Sequence, residues 1–310
     1  MQDRVLDRRD LREGGRWSRR QRLKNTLIYG LLRALLAVAD RLSPAVLLAA
    51  GRTLGRIAHR VLPGLRARAR RELALAFTLS EARALARDTF LRAGENLAWC
   101  LLLRRKRLRA LDVVSVPEAS RRTLDDALSE GRGVVFVSPH HGPFELVAAA
   151  IAELGYRPAV VVRESYDPRL DPIVDGHRVA RGLEVIHRGK RSASRRVVRA
   201  LRSGRIVGFL PDLGGRVSCV AARFLGTERP FAIGPQRIAS RMGAPLVVGT
   251  LSRKSDGFSL SIERAPDGTA LRMTQCVAEL FDAAIGASPA DWPWMAARSL
   301  EPRASVRAAS

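Results

Sequence analysis

The sequence predicts an α/β fold: a mostly parallel central sheet flanked by helices, preceded by N-terminal membrane-associated helices. Three observations predict it. From residue 117 onward, short apolar runs alternate with helical stretches of about ten residues, the spacing that parallel strands with crossover helices require. The first 110 residues carry helical periodicity and no strand pattern. They also hold 26 Lys/Arg against 9 Asp/Glu, most of the chain's formal charge of +24.

Residues 1–24 are highly charged, with RRQR at 19–22, and read as a basic flexible arm. TLIYGLLRALLAVADRL (26–42) follows as an amphipathic helix. Its narrow polar stripe is Gly30, Arg33, Ala37, Asp40 and Arg41, and its broad apolar arc includes Leu27, Ile28, Leu31, Leu35 and Leu36. A bilayer span needs about 20 residues with few charges, so this helix fits the membrane interface, or else the protein's own core. No small-residue cleavage site follows it, which argues against a signal peptide. A second helix from Pro44 to about Leu62 spaces Arg52, Arg56 and Arg60 one turn apart, and Pro63-Gly64 stops it. Two more helices are predicted at 66–77 and 80–103, the last ending in a basic knot of Arg104, Arg105, Lys106, Arg107 and Arg109. That knot reads as a solvated helix end or a contact for phosphates or an acidic partner. Residues 25–110 thus form a helical membrane-docking region.

The α/β region, 111–300, begins with a helix at 117–130 and the strand VVFV at 134–137. Then come a helix from Pro143 to Leu154, strand 159–162, a helix near 169–181, strand 184–186, a helix at 191–203 and strand 206–210. The region 218–225, a helix at 234–242, strands at 245–249 and 257–263 and a helix at 270–286 complete it. Residues 301–310 read as a disordered tail.

Composition narrows the function. Cys100, Cys219 and Cys276 are an odd number at wide spacing with no CxxC, which argues against a disulfide framework or a thiolate metal site. The basic end calls for an anionic counterpart: nucleic acid, a membrane surface or an acidic carrier protein. Aromatic residues make up only 5% and are not interleaved with the arginines, so no nucleic-acid partner is expected. Neither GxGxxG nor GxxxxGK[ST] occurs.

The candidate site is SPHHGPFEL, residues 138–146. Ligands of open α/β sheets bind beyond the carboxyl ends of strands, and His140 follows VVFV at such an end. Pro143 suits the first helical position, making Gly142 the cap and placing Glu145 in the first turn, near His140. An imidazole beside a carboxylate takes a proton from a hydroxyl at neutral pH, contributing on the order of 10²- to 10⁴-fold. Two other readings compete. Glu145 is favourable at any helix start, with His140 and His141 as loop residues. Alternatively His140, His141 and Glu145, with His177, His187 or Asp212, would hold a metal, although no HExxH-like spacing supports that.

The ordered series GRGVVFVSPHHGPFELVAAAIAELG, VVVRESYDPRLD, GLEVIHRGK, GFLPDLGG, FLGTERPFAIGPQRIASRMGAPLV and ADWPWM resembles the bacterial late lipid A acyltransferases, the lauroyl and myristoyl transferase family. The likeness runs from about residue 25 to 298. It implies a glycerolipid-acyltransferase-like fold in which His140 and Glu145 are the catalytic pair and His141 occupies a variable position. It further implies transfer of an acyl chain from acyl carrier protein or acyl-CoA to a hydroxyl of a membrane glycolipid such as a lipid A precursor, at the cytoplasmic face of the inner membrane. Neither cofactor nor metal is called for. The alternatives are another lipid acceptor, or a non-catalytic basic protein that binds membrane or nucleic acid.

That chemistry needs donors for the thioester oxyanion and cations for phosphate. Backbone N–H groups near Gly142 and Phe144 suit the first need. Arg163 at a strand end, then Arg178 and Arg188, suit the second. By resemblance Asp212 joins the site, orienting the acceptor or pairing with an arginine. The chain departs from the family pattern at Pro143-Phe144, where an Asn-Trp pair usually stands, at Leu213, and after Trp294, which bears on the acceptor more than on the chemistry.

Overall fold

The computed structural model describes residues 16–105, 107–214, 217–297 and 299. Four helices come first: α1 (Arg19–Ala39), α2 (Pro44–Val61), α3 (Pro63–Leu73) and α4 (Leu79–Leu103). Ser18 caps α1 in a capping box with Gln21, so residues 19–24 are helical and not part of a flexible arm. Residues 1–15 and 301–310, where the arm and tail are expected, lie outside the described residues. The two central helices approach closely because their contact is made of glycine. A Cβ on Gly51 would lie 2.4 Å from the Gly94 carbonyl oxygen, and one on Gly94 would lie 2.0 Å from that of Gly51. Any side chain at either position would separate α2 from α4.

The apolar arc of α1 divides in an informative way. Leu36 and Ala39 are buried, whereas Leu27, Ile28, Leu31, Leu35 and Val38 are exposed, as are Leu54, Ile57 and Val61 of α2. The arc is therefore only partly a core face. Among the described residues, no helix is long and apolar enough to cross a membrane. Within the basic knot, Arg105 donates to the Ala39 and Leu42 carbonyls and caps the end of α1. Lys106 lies outside the described residues.

The remainder is a mixed α/β unit. Its strands are β1 (Val114–Ser115), β2 (Val134–Val137), β3 (Pro158–Arg163), β4 (Glu184–Arg188), β5 (Ile206–Phe209), β6 (Cys219–Phe224), β7 (Thr227–Ala232), β8 (Leu246–Lys254) and β9 (Gly257–Arg264). Its helices are α5 (Glu118–Ser129), α6 (Glu145–Glu153), α7 (Asp171–Ala180), α8 (Ala193–Arg202), α9 (Gly234–Met242) and α10 (Ala270–Ala287). Seven strands form one sheet in the order β1-β9-β8-β2-β5-β3-β4, parallel throughout except for β8 against β9. β6 and β7 pair separately as an antiparallel hairpin.

Both faces of the sheet are covered, which is why VVFV is apolar without alternation and wholly buried. Val135, Val137, Ala159, Val207 and Leu246 face one core, shared with α8, α9 and α10. Val134, Phe136, Ile206 and Val247 face the other, with α5 and α6. β2 lies at the centre of this layer. Its carboxyl end opens into the loop that carries the paired histidines.

Candidate functional site

The loop after β2 is fixed at both ends before any side chain is considered. Gly142 has φ +59°, a left-handed conformation that disfavours side chains, and its N–H donates to the Asp291 carbonyl at 2.9 Å. The chain then turns once more, and α6 starts at Glu145 with Phe144 in the capping position. The expected cap at Gly142 is therefore two residues early. The N–H groups of Phe144, Leu146 and Val147 donate to the carbonyls of Gly142, Pro143 and Phe144. Those three donors, like the Gly142 N–H, are engaged by backbone carbonyls.

His140 is held by Asp212, in the loop after β5. Nδ1 of His140 lies 2.7 Å from Asp212 Oδ1, and the His140 backbone N–H donates to Oδ2 at 2.9 Å. The Trp292 indole N–H donates to the same Oδ2 at 2.8 Å. The Asp212 side chain is fully buried, whereas that of His140 is 26% exposed. Burial alone would raise the Asp212 carboxyl. The charge and hydrogen bonds of His140, with the bond from Trp292, outweigh it and hold the group below the ordinary carboxylate range. With Nδ1 committed, Nε2 is the ring nitrogen left to meet a substrate.

The expected hydrogen bond between His140 and Glu145 does not form. Because α6 begins at Glu145, its carboxylate turns toward α7. There Arg178 binds it in a two-pronged contact, Nε to Oε2 at 3.1 Å and Nη2 to Oε1, and His177 Nε2 lies 3.3 Å from Oε2. Burial pushes this carboxyl up, but the hydrogen bonds from His177 and Arg178 and the charge of Arg178 hold it at about 2. Arg178 also donates to Asp175 at 2.8 Å, and Asp175 pairs with His187 of β4 at 2.8 Å. The network ties α6, α7 and β4 together.

The other expected residues divide. Arg163 and Arg188 are Cα partners at the carboxyl ends of β3 and β4. They sit on the same rim as His140, two and three strands away, or roughly 10 and 14 Å at about 4.8 Å per strand. Asp212 pairs with the histidine and not with an arginine. Phe144 packs edge-to-face on the His140 ring, with centroids 5.1 Å apart. His141 is buried, its Nδ1 3.1 Å from the Leu251 carbonyl and its Nε2 3.0 Å from that of Ser288. Those contacts remove it from any metal set with His140 and Glu145. The one group of candidate ligand atoms found close together among the described residues is Asp171, Asp175 and His187. Asp175 there is already engaged by Arg178 and His187.

A mostly apolar cavity adjoins the pair on the α6 face of the sheet. Its empty volume is about 630 Å³, part of it open to solvent. Ser138 and Leu210 line it, each two residues before His140 and Asp212, and Phe144, Glu145 and Arg178 border it. The arrangement suits a proton-accepting imidazole at one end of an apolar chain. The sequence signal for Asp212 is its place after an apolar strand. What sequence does not reveal is that this strand, β5, pairs directly with β2. Trp292 carries no such signal.

The profile of the family described as bacterial lipid A biosynthesis acyltransferase matches residues 18–300. A phosphatidylinositol mannoside acyltransferase of Mycobacterium tuberculosis (strain CDC 1551 / Oshkosh) is 27% identical over 195 residues, covering 59% of this chain and 61% of that protein. The protein of the same description from Mycolicibacterium smegmatis is 28% identical over 207 residues, 63% of this chain and 66% of its own. The chain thus spans somewhat under two thirds of these relatives.

Proposed function

Because the chain belongs to the bacterial lipid A biosynthesis acyltransferase family, we propose that it is an O-acyltransferase moving a fatty acyl group from a thioester to a hydroxyl of a membrane glycolipid. The observation that carries this reading is the His140–Asp212 contact at 2.7 Å beside an apolar cavity. The acceptor hydroxyl oxygen attacks the thioester carbonyl carbon while His140 Nε2 takes its proton, and Asp212 fixes the ring and stabilises the imidazolium. The tetrahedral adduct collapses, the carbon–sulfur bond breaks, and the proton passes from His140 to the departing thiolate. No redox partner, cofactor or metal enters this balance.

The donor is an acyl carrier protein or acyl-CoA, and the basic surface favours either anionic molecule. The acceptor is a glycolipid, as the names of the mycobacterial relatives say of those proteins. Arg163 and Arg188 on the rim suit its phosphate groups. The exposed leucines of α1 and α2, flanked by arginines, suit an anionic membrane surface, with the site facing the cytoplasm at the inner membrane.

The test is transfer of labelled acyl groups from acyl carrier protein or acyl-CoA into extracted lipids by purified protein and by the His140→Ala variant. Equal labelling by both would overturn the proposal. For the membrane, Leu27→Glu with Leu31→Glu should abolish co-sedimentation with anionic vesicles. Unchanged sedimentation would remove that part.

A further inference from the structure

The sheet register explains why the cavity has room. On its floor Phe136 of β2, Gly208 of β5 and Val160 of β3 are Cα partners in a single row. Such a row normally sets three side chains abreast at about 4.8 Å spacing. Here the middle one is missing. Nor does the neighbouring ring fill the gap: an ideal Cβ on Gly249 of β8 would fall 2.1 Å from Cζ of Phe136, so the ring lies over β8, on the side away from β5. One glycine receives the ring, and the other lies bare beneath the cavity between Ile206 and Leu210, which both line it.

Glycine at 208 is not imposed by its backbone or its packing. A Cβ there would meet Val160 Cγ1 at 3.7 Å and the Ala159 carbonyl oxygen at 3.6 Å, ordinary contacts, and its φ lies outside the left-handed region. At Gly133, by contrast, a Cβ would strike the Leu201 carbonyl oxygen at 2.5 Å. What the missing side chain at 208 provides is space. We propose that Gly208 determines acyl-chain length: the chain crosses the sheet over this bare position, and any side chain here would stop it short. The inference rests on the reading of the cavity as the acyl site.

The experiment compares full-length wild type, Gly208→Ala and Gly208→Val with donors of eight to eighteen carbons. It reads kcat/KM for each length and, separately, calorimetric binding of free fatty acids of the same lengths, with Tm as the control for folding. A methylene kept from apolar contact loses about 0.8 kcal/mol, or about fourfold. The valine variant should favour donors two or three carbons shorter than wild type does, losing tenfold or more on the longest donors and least on the shortest. Alanine, whose single methyl fits, should lose about fourfold on the longest donor alone and serves if valine does not fold. A length profile that does not move, or that falls evenly at every length, overturns the role of Gly208 while leaving transfer intact. Wild-type protein that transfers nothing but binds fatty acids with a valine-shortened preference overturns transfer and leaves Gly208. Neither transfer nor binding overturns both.

Discussion

His140 and Asp212, 72 residues apart in sequence, meet Nδ1 to Oδ1 at 2.7 Å because β5 lies directly beside β2. A fully buried carboxylate shared by His140 and Trp292 has little freedom to turn elsewhere. Asp212→Asn should keep the shape but lose the negative charge that supports an imidazolium. Transfer should fall on the order of 10²- to 10⁴-fold in kcat, with KM for the donor nearly unchanged. Steady-state kinetics of the variant checks this; near wild-type kcat would exclude Asp212 from the chemistry.

Glu145 should behave differently from His140. Its carboxylate is paired with Arg178 and His177, so its loss leaves a buried guanidinium with only Asp175. Glu145→Ala should destabilise the fold by about 3–5 kcal/mol, read by urea denaturation. Linkage gives the sign. A carboxyl held at about 2 when folded and near 4.3 when unfolded contributes stability that is full above about pH 4.5 and is lost as pH falls toward 2. Denaturation midpoints of wild type should decline through that window, and the decline should be shallower in Glu145→Gln. Identical slopes would refute the pairing.

His141 is a structural pin for the loop that carries its neighbour. Its ring spans from the Leu251 carbonyl of β8 to the Ser288 carbonyl that precedes the segment bearing Trp292. His141→Phe fills the volume but leaves the one carbonyl oxygen served by the ring N–H without a donor, at roughly 1–3 kcal/mol. Thermal unfolding should show a fall in Tm of several degrees. Activity measured well below that Tm should drop less than in Asp212→Asn.

The residues themselves show what sequence can and cannot convey. VVFV reads as a buried strand because a parallel strand covered on both faces has no polar side to betray its period. Gly234–Met242 emerges as α9, within its predicted bounds, because Pro235 opens it and Gly243 closes it in a left-handed turn. β7 escapes notice because TERPFA mixes charge and proline, tolerable in a two-stranded hairpin. The HxxxxE spacing suggests a pair, yet the spacing says nothing of the turn at Gly142 that starts α6 late and aims Glu145 at α7. Asp212 is legible as a site residue but not as the partner of His140, since strand order is a tertiary fact. His177 and Trp292 contribute through contacts that no local pattern announces.

Glu72 and Arg229 lie outside the lining of the cavity. Glu72 of α3 is buried, and Arg229 of β7 donates to it at 2.6 Å. The same guanidinium lies 5.8 Å from the Trp292 ring centroid and 5.7 Å from that of Trp294. Glu72 therefore holds the cation that packs on the tryptophan whose indole N–H supports Asp212. Glu72→Ala should destabilise by about 3–5 kcal/mol, since it strands a buried arginine. Glu72→Ala with Arg229→Met removes both charges and should recover most of that loss, because an unpaired buried charge costs more than an absent pair. The double-mutant cycle, read by denaturation and by kcat in parallel, separates packing from chemistry. Recovery of stability should bring kcat back with it if Trp292 is merely held in place, whereas stability without kcat would show that the cation itself steadies the indole bond to Asp212.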